Sequence, residues 1–75
     1  MNAELSFGQK AVGLTFNPSG DAGVNYIKEQ CANLIDLLNG MRAAGSFEQA
    51  RMFAIAITDI QTAQMWAVKG VTWKD

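Results

Sequence analysis

The chain has 75 residues, of which six are basic, seven acidic and one a cysteine, with no histidine. The net charge of −1 provides no basic field for duplex DNA or RNA, although a few cations could still hold a small anionic ligand. The single cysteine permits no intrachain disulfide, and without histidine it builds no zinc finger.

No uncharged run reaches the roughly 18 residues that a membrane-spanning helix needs, and no signal peptide is recognisable. Hydrophobic residues make up 49% of the chain, which argues against disorder. We therefore expect one domain over residues 1–75, soluble and in a reducing compartment. A core this small is marginal unless a disulfide, a metal or oligomerisation supports it. Since the composition provides neither a disulfide nor a zinc finger, we expect oligomerisation to support the core.

The N-terminal segment, residues 1–15, predicts either a short helix or an arm that lies on a neighbouring copy. The stretch from Glu4 to Val12 has few apolar residues at helical spacing, and Gly8 and Gly13 interrupt it. Both alternatives remain open from the sequence.

A turn follows in the segment FNPSGD, residues 16–21. Pro18 presets its own φ angle and keeps Asn17 out of the helical region. Ser19 or Asp21 can then cap the next helix through a side-chain oxygen. Free N–H groups at this junction could also bind an anion, but a cap alone explains the same residues.

A first long helix is predicted over residues 21–44, because apolar residues recur at spacings of 3 and 4. Charged residues off this seam, such as Asp36, are expected in solvent. Gly45 is expected to end the helix as the C′ glycine, with an earlier end at Gly40 as the alternative. The seam consists of Val24, Ile27, Cys31, Leu34, Leu38 and Met41, with Ile35 and Leu37 beside it.

A second long helix is predicted over residues 46–72, with Ser46 as N-cap and Gln49 completing a capping box. The short connection makes the two helices antiparallel neighbours. The seam that faces the first helix consists of Phe53, Ile57, Ile60, Gln64, Ala67 and Val71. One partner helix cannot cover the other apolar positions, so we expect subunit contacts at Met52, Ala56, Ala63 and Trp66.

The available chemistry favours binding over catalysis, and we expect neither an enzyme nor a cofactor. No histidine can act as general base, and Cys31 on the seam is expected to be inert packing. The chain has no glycine-rich phosphate loop, and its acidic residues are too scattered for a calcium site.

A polar patch interrupts the second helix at Thr58, Asp59, Gln61, Thr62 and Gln64. It could be a solvated strip whose threonines bond back to the preceding turn, or a ligand wall that is enclosed when subunits meet. Gln64, on the seam, could also fix the register of the helices. If the ligand carries a phosphate, we expect it at Lys28, Arg51 or Lys69, although solvated lysines and arginines with packed stems are the simpler interpretation.

The C-terminal stretch AIAITDIQTAQMWAVKGVTWKD, the GLTFNPSGD turn and the step Asn25-Tyr26-Ile27-Lys28 resemble a helical-hairpin domain of phages. This domain is shared by the anti-CBASS cyclic-nucleotide sponges and the anti-Thoeris sponges, and the resemblance covers residues 13–75. It implies an all-α antiparallel two-helix hairpin with a short N-terminal segment. Copies of the hairpin would assemble into a homo-oligomeric helical bundle, typically a hexamer.

The resemblance also implies a function and a ligand site. The protein would sequester cyclic di- or trinucleotides, or cyclic ADP-ribose isomers, in the cytoplasm of the infected host, without duplex nucleic acid or membrane as partner. In the anti-CBASS sponges, pockets between protomers use a lysine of the first helix, an N-terminal aromatic, and an arginine and polar residues of the last helix. Some members carry an arginine where this chain has Ile57. From the residues and the resemblance together, the expected ligand-binding residues are Lys28, Asn25, Phe16, Arg51, Thr58, Gln61 and Lys69. The alternative function is a structural or protein-interaction hairpin without a small-molecule ligand.

Overall fold

Three α-helices make up most of the molecule in a computed structural model, which describes residues 4–75. Helix α1 spans Phe7–Val12, α2 spans Ala22–Ala44 and α3 spans Phe47–Thr72. No β-strand occurs within residues 4–75, so the predicted all-α class is confirmed. The predicted N-terminal segment includes residues 1–3, which lie outside the described part of the chain. No helix of residues 4–75 combines the length and the apolar character that a membrane crossing requires.

Of the two N-terminal alternatives, the short helix is the one observed. The Ser6 hydroxyl accepts a hydrogen bond from the Gln9 N–H at 3.1 Å, and the Gln9 side chain accepts one from the Ser6 N–H at 2.8 Å. Gly13 ends α1 at φ 63°, a left-handed conformation that glycine adopts without a Cβ clash. The capping box and Gly13 therefore define α1. Its apolar pattern alone is too short to predict a helix.

Helix α1 packs on α2 at a very close approach. A Cβ atom on Gly8 would lie 2.1 Å from the carbonyl oxygen of Ala32, so only glycine fits there without displacing α1. The Gly8 N–H also donates to the Asp36 carboxylate at 2.7 Å. The expectation that Asp36 is solvated is wrong, because its half-buried carboxylate binds the first turn of α1.

Two residues, Gly45 and Ser46, connect α2 to α3 and make the long helices an antiparallel hairpin. The predicted capping box of α3 is confirmed. The Ser46 hydroxyl accepts from the Gln49 N–H at 3.2 Å, and the Gln49 side chain accepts from the Ser46 N–H at 2.8 Å. Helix α2 ends before Gly45 as predicted, but the Gly45 backbone is extended at φ −91° and not left-handed, as a C′ glycine often is. A Cβ atom there would lie 3.1 Å from the Gln49 Cβ, so the tight connection accounts for the glycine.

The buried stripe of α2 is rotated from the predicted seam. Leu34 and Met41, which the apolar spacing places on the seam, are 45% and 46% exposed. Lys28 lies on the buried face of α2. Because hydropathy places apolar residues on a buried face, the apolar spacing predicts a different face. The observed stripe consists of Val24, Lys28, Ala32 and Ile35.

The core itself is small and draws on all three helices. Its buried residues are Val12, Ala32, Ile35 and Ile57. On α3, the burial of Ile57 and Gln64 confirms that part of the second predicted seam. Val71, from the same seam, is 41% exposed, so the end of α3 packs less closely than predicted.

The molecule is a flat plate of 45 × 37 × 12 Å. Because no helix is surrounded by the others, α2 and α3 keep apolar faces in solvent. Among the predicted subunit contacts, Met52 is 55% exposed and Trp66 67% exposed. Monomers seldom expose large apolar surfaces, so these side chains indicate an interaction surface. Further large apolar side chains in solvent include Leu37, Ile55 and Trp73.

Candidate ligand-binding site

An open cleft of about 340 Å³ lies between the loop before α2, the first half of α2 and the second half of α3. Pockets for small molecules start at roughly 300 Å³, so this volume is at the lower end of their range. The loop contributes residues 16–19, and α2 contributes Val24 and Lys28. The wall from α3 consists of Gln64, Met65, Val68 and Thr72.

Lys28 is the charged residue of this cleft, and only 6% of it is exposed. Its ammonium group donates to the carbonyl oxygen of Gly13 at 3.0 Å and to that of Phe16. The same ammonium lies 5.6 Å from the centre of the Phe16 ring, a cation–π distance. These contacts tie the turn after α1 to α2 and leave one of the three ammonium donors for another partner.

Lys28 forms no salt bridge with a carboxylate of residues 4–75. The salt bridge found within these residues joins Arg51 to Glu48. A buried cation loses its hydration, and it needs hydrogen bonds and preferably an anion in exchange. At Lys28, two carbonyl groups replace part of the lost hydration with hydrogen bonds. The cleft therefore presents a positive charge that a bound anion would complement.

Gln64 is the second buried polar residue of the cleft, and it is also 6% exposed. Its amide makes no hydrogen bond within residues 4–75, yet none of its polar atoms is fully enclosed. Gln64 is one of the residues that line the cleft. An amide offers both donors and an acceptor, so it can recognise a neutral polar group of a ligand.

Asn17 organises the loop wall of the cleft. Its amide donates to the carbonyl oxygen of Asp21 and to Oδ1 of Asn25, both at 3.0 Å. Its own Oδ1 accepts from the Ser19 hydroxyl at 2.7 Å. Of the two predicted caps for α2, Asp21 is the one observed, since its carboxylate accepts from the Gly23 N–H at 2.7 Å. Asn25 is thereby linked to the cleft through Asn17, without lining it.

Two of the predicted ligand-binding residues, Lys28 and Phe16, line the cleft together. Gln61 and Thr58 instead bond to backbone within the same protomer. The Gln61 amide donates to the carbonyl oxygen of Ala11 at 3.2 Å and so ties α3 to α1. The exposed Thr58 hydroxyl donates to the carbonyl oxygen of Ala54 at 3.2 Å, as helical threonines often do.

Arg51 and Lys69 are exposed on α3 and do not line the cleft of their own protomer. Arg51 lies roughly 20 Å along the helix from the cleft, at 1.5 Å per residue. It pairs with Glu48 at 2.6 Å, and this hydrogen bond raises the pKa of the guanidinium. The Lys69 ammonium lies 5.1 Å from the Trp66 ring centre and 5.6 Å from that of Trp73. One protomer therefore does not bring these cations to Lys28.

Cys31 is a free, half-buried cysteine that packs against the core. Burial raises the pKa of its thiol, because apolar surroundings disfavour the thiolate. Within residues 4–75, no group of three His, Cys, Asp or Glu side chains could hold a metal ion. What the cleft offers is hydrogen bonding and one cationic charge.

Residues 9–72 match a family model described as the Acb2/Tad1 hairpin domain. The chain belongs to this family. The Acb2/Tad1 hairpin is the domain of the anti-CBASS and anti-Thoeris sponges, so the predicted family is confirmed. The matched range includes every residue that lines the cleft. Comparison with curated proteins and with solved structures gave no match.

Membership in the Acb2/Tad1 hairpin family indicates a sponge-type role against host defence. Domains of this family act by binding rather than by catalysis. A cleft with a buried cation and an unpartnered amide is consistent with a binding role, since both groups can hold a ligand without changing it.

Proposed function

We propose that this protein is a sponge that binds cyclic oligonucleotide immune signals and keeps them from the host effector, without chemical conversion. The family supports the sponge-type role. The ligand class is supported by one observation above all. The Lys28 ammonium is buried in a cleft, keeps a free donor and has no carboxylate partner within residues 4–75. A phosphodiester supplies an anion that accepts such a charge-assisted hydrogen bond.

The proposed ligands are cyclic di- and trinucleotides, with cyclic ADP-ribose isomers as a second class. All of them carry phosphate groups beside bases and riboses. The proposed setting is the cytoplasm of a host cell during phage infection, where such signals would be intercepted. No covalent chemistry is needed for this role, so the bound nucleotide should leave the protein unchanged.

We further propose that the working form is a homo-oligomer, a hexamer, in which neighbouring copies close the cleft. A single protomer leaves the cleft open and its apolar faces in solvent. Assembly would bury those faces and bring residues of one copy to the cleft of the next. Besides Lys28 and Phe16, the proposed ligand contacts are Asn25, Arg51, Thr58, Gln61 and Lys69.

Calorimetric titration of the purified protein with a panel of cyclic di- and trinucleotides and cyclic ADP-ribose isomers tests the proposal. We expect tight binding of at least one member and a matching rise in melting temperature, because a ligand that binds only the folded state stabilises it. The nucleotide should be recovered intact after the protein is denatured. No binding across the panel, or a hydrolysed product, contradicts the proposal.

The second candidate function is a hairpin that docks on another phage or host protein. The exposed apolar faces of α2 and α3 favour it, because a protein partner could cover them as well as a second copy could. This candidate predicts no melting shift with any nucleotide of the panel. It also predicts that the purified protein remains monomeric until its partner is added.

A further inference from the structure

We infer that Gln64 reads a purine base of the bound cyclic nucleotide. The inference rests on the proposed function and adds a specificity-determining residue to it. The starting observation is that Gln64, a polar side chain with 6% exposure, lines the cleft and makes no hydrogen bond within residues 4–75. Its amide is not fully enclosed in the free protein, and a ligand that encloses it must offer hydrogen bonds in return.

The residues around Gln64 suit a base better than a phosphate. Met65 and Val68 continue the α3 wall with apolar surface, which can cover the flat face of a base. The Phe16 ring stands on the opposite, loop side of the cleft and is 70% exposed, so it is available for stacking. Lys28 supplies the charge for a phosphate in the same cleft. The cleft thus offers a cation for a phosphate and apolar surface for a base, which are the two parts of a nucleotide.

The hydrogen-bonding pattern of an amide matches the edge of a purine base. A glutamine amide presents an acceptor oxygen beside a donor nitrogen. Adenine matches this pair on either edge that carries its 6-amino group, because this donor lies between two ring-nitrogen acceptors. Guanine also matches, through O6 beside N1–H and through N3 beside its 2-amino group. The 6-amino group is common to both adenine edges, which makes it the group to remove in a test.

Two ligands with identical phosphates separate base reading from charge: cyclic di-AMP and the cyclic dinucleotide of unsubstituted purine, which lacks the 6-amino group. We expect the wild-type protein to bind cyclic di-AMP on the order of tenfold more tightly, because without the 6-amino donor the amide oxygen loses its partner. Gln64→Met keeps the length of the side chain and removes the amide. This variant should bind both ligands with similar, weak affinity, since Lys28 still holds the phosphate.

Gln30→Met is the matched control, because Gln30 is an exposed glutamine of α2 that does not line the cleft. It should keep the wild-type ratio of affinities. Equal binding of the two ligands by the wild type, or an unchanged ratio in Gln64→Met, overturns the inference and leaves the proposed function intact. Absence of binding to the whole panel overturns both.

Unfolding of the ligand-free proteins separates base reading from a structural role. If Gln64 fixes the register of the helices, Gln64→Met should lose a defined oligomer or melt at a lower temperature, and that result overturns the inference. If Gln64 waits for a ligand, the apolar replacement should leave the oligomer unchanged and the melting temperature equal or higher.

Discussion

Lys28 joins two roles in one side chain, because its ammonium holds a turn and also supplies the charge of the cleft. The turn role is visible in its bonds to the carbonyl groups of Gly13 and Phe16. The ligand role belongs to the proposed function. A replacement at this residue should therefore change both the stability of the free protein and its affinity for nucleotide.

Lys28→Met keeps the aliphatic stem and removes the charge. We expect ligand affinity to fall by roughly 10- to 100-fold, which is the loss of a charge-assisted hydrogen bond worth about 1.5–3 kcal/mol. The free energy of unfolding should fall by about 1–3 kcal/mol, because two carbonyl groups lose their donor. Calorimetry measures the first change and urea unfolding the second, with far-UV circular dichroism to show that the variant is folded.

Lys10→Met is the control for this experiment, since Lys10 is an exposed lysine of α1 outside the cleft. It should leave affinity and stability within error of the wild type. If Lys28→Met binds nucleotide as the wild type does, Lys28 is not part of the ligand site.

Gly8 and Gly40 make opposite predictions for the same substitution. Alanine at Gly8 places a Cβ atom 2.1 Å from the carbonyl oxygen of Ala32, so α1 must move away from α2. We expect Gly8→Ala to lower the free energy of unfolding by about 1–3 kcal/mol, as other overpacked sites do. Gly40 lies within α2 and has open space where a Cβ would stand, so Gly40→Ala should raise stability by roughly 0.5–1 kcal/mol. Urea unfolding of the two variants measures both changes in the free energy of unfolding. If Gly8→Ala unfolds with the wild-type free energy, the close approach of α1 to α2 is contradicted.

The sequence predicts a residue of the candidate site only where the position of that residue follows from its own helix or loop. Lys28 and Phe16 follow from the family resemblance, and the burial of Gln64 follows from its place on the predicted seam. The partners of Lys28 are backbone carbonyls 15 and 12 residues away, and no side-chain pattern encodes them. The proposed contributions of Arg51 and Lys69 depend on neighbouring copies, which one chain's sequence does not position.

At the scale of the elements, local signals predicted the start of α3 and the position of the hairpin connection. A serine followed three residues later by glutamine is such a signal, and it occurs at Ser46 and again at Ser6. At Ser6 this signal does not predict a helix by itself, because the six residues of α1 have no apolar period of their own. The orientation of α2 about its axis was harder to predict, since a buried lysine and a buried alanine replace the large apolar residues that mark a core face.

Ser46 offers a direct test of the capping box. Ser46→Ala removes the oxygen that accepts from the Gln49 N–H and should lower the free energy of unfolding by about 1 kcal/mol. Ser46→Asp restores an acceptor at the same position and should recover most of that loss. Chemical unfolding of both variants gives the comparison. Equal stabilities for the alanine and aspartate variants would show that the cap contributes nothing measurable.

At the scale of the whole molecule, the flat shape explains why one protomer is an incomplete unit. A plate 12 Å thick has two faces and little interior, so its apolar residues outnumber the positions that can bury them. The cleft lies open in the same plate, beside α3. A single assembly step could therefore both close the cleft and cover the apolar faces.

That assembly can be tested at Trp66, which is 67% exposed on the face of α3 predicted to meet another copy. The wild type should sediment as one homo-oligomer, and six copies are expected. Trp66→Glu places a charge where an apolar interface would close, and an unpaired buried charge is strongly unfavourable, so this variant should sediment as a smaller species. Lys10→Gln changes the net charge by the same amount at an exposed position of α1 and should keep the wild-type mass. If the wild type is monomeric at all concentrations, the exposed faces belong to another partner. If only the Trp66 variant dissociates and also loses nucleotide, the subunit junction and the ligand site depend on one another.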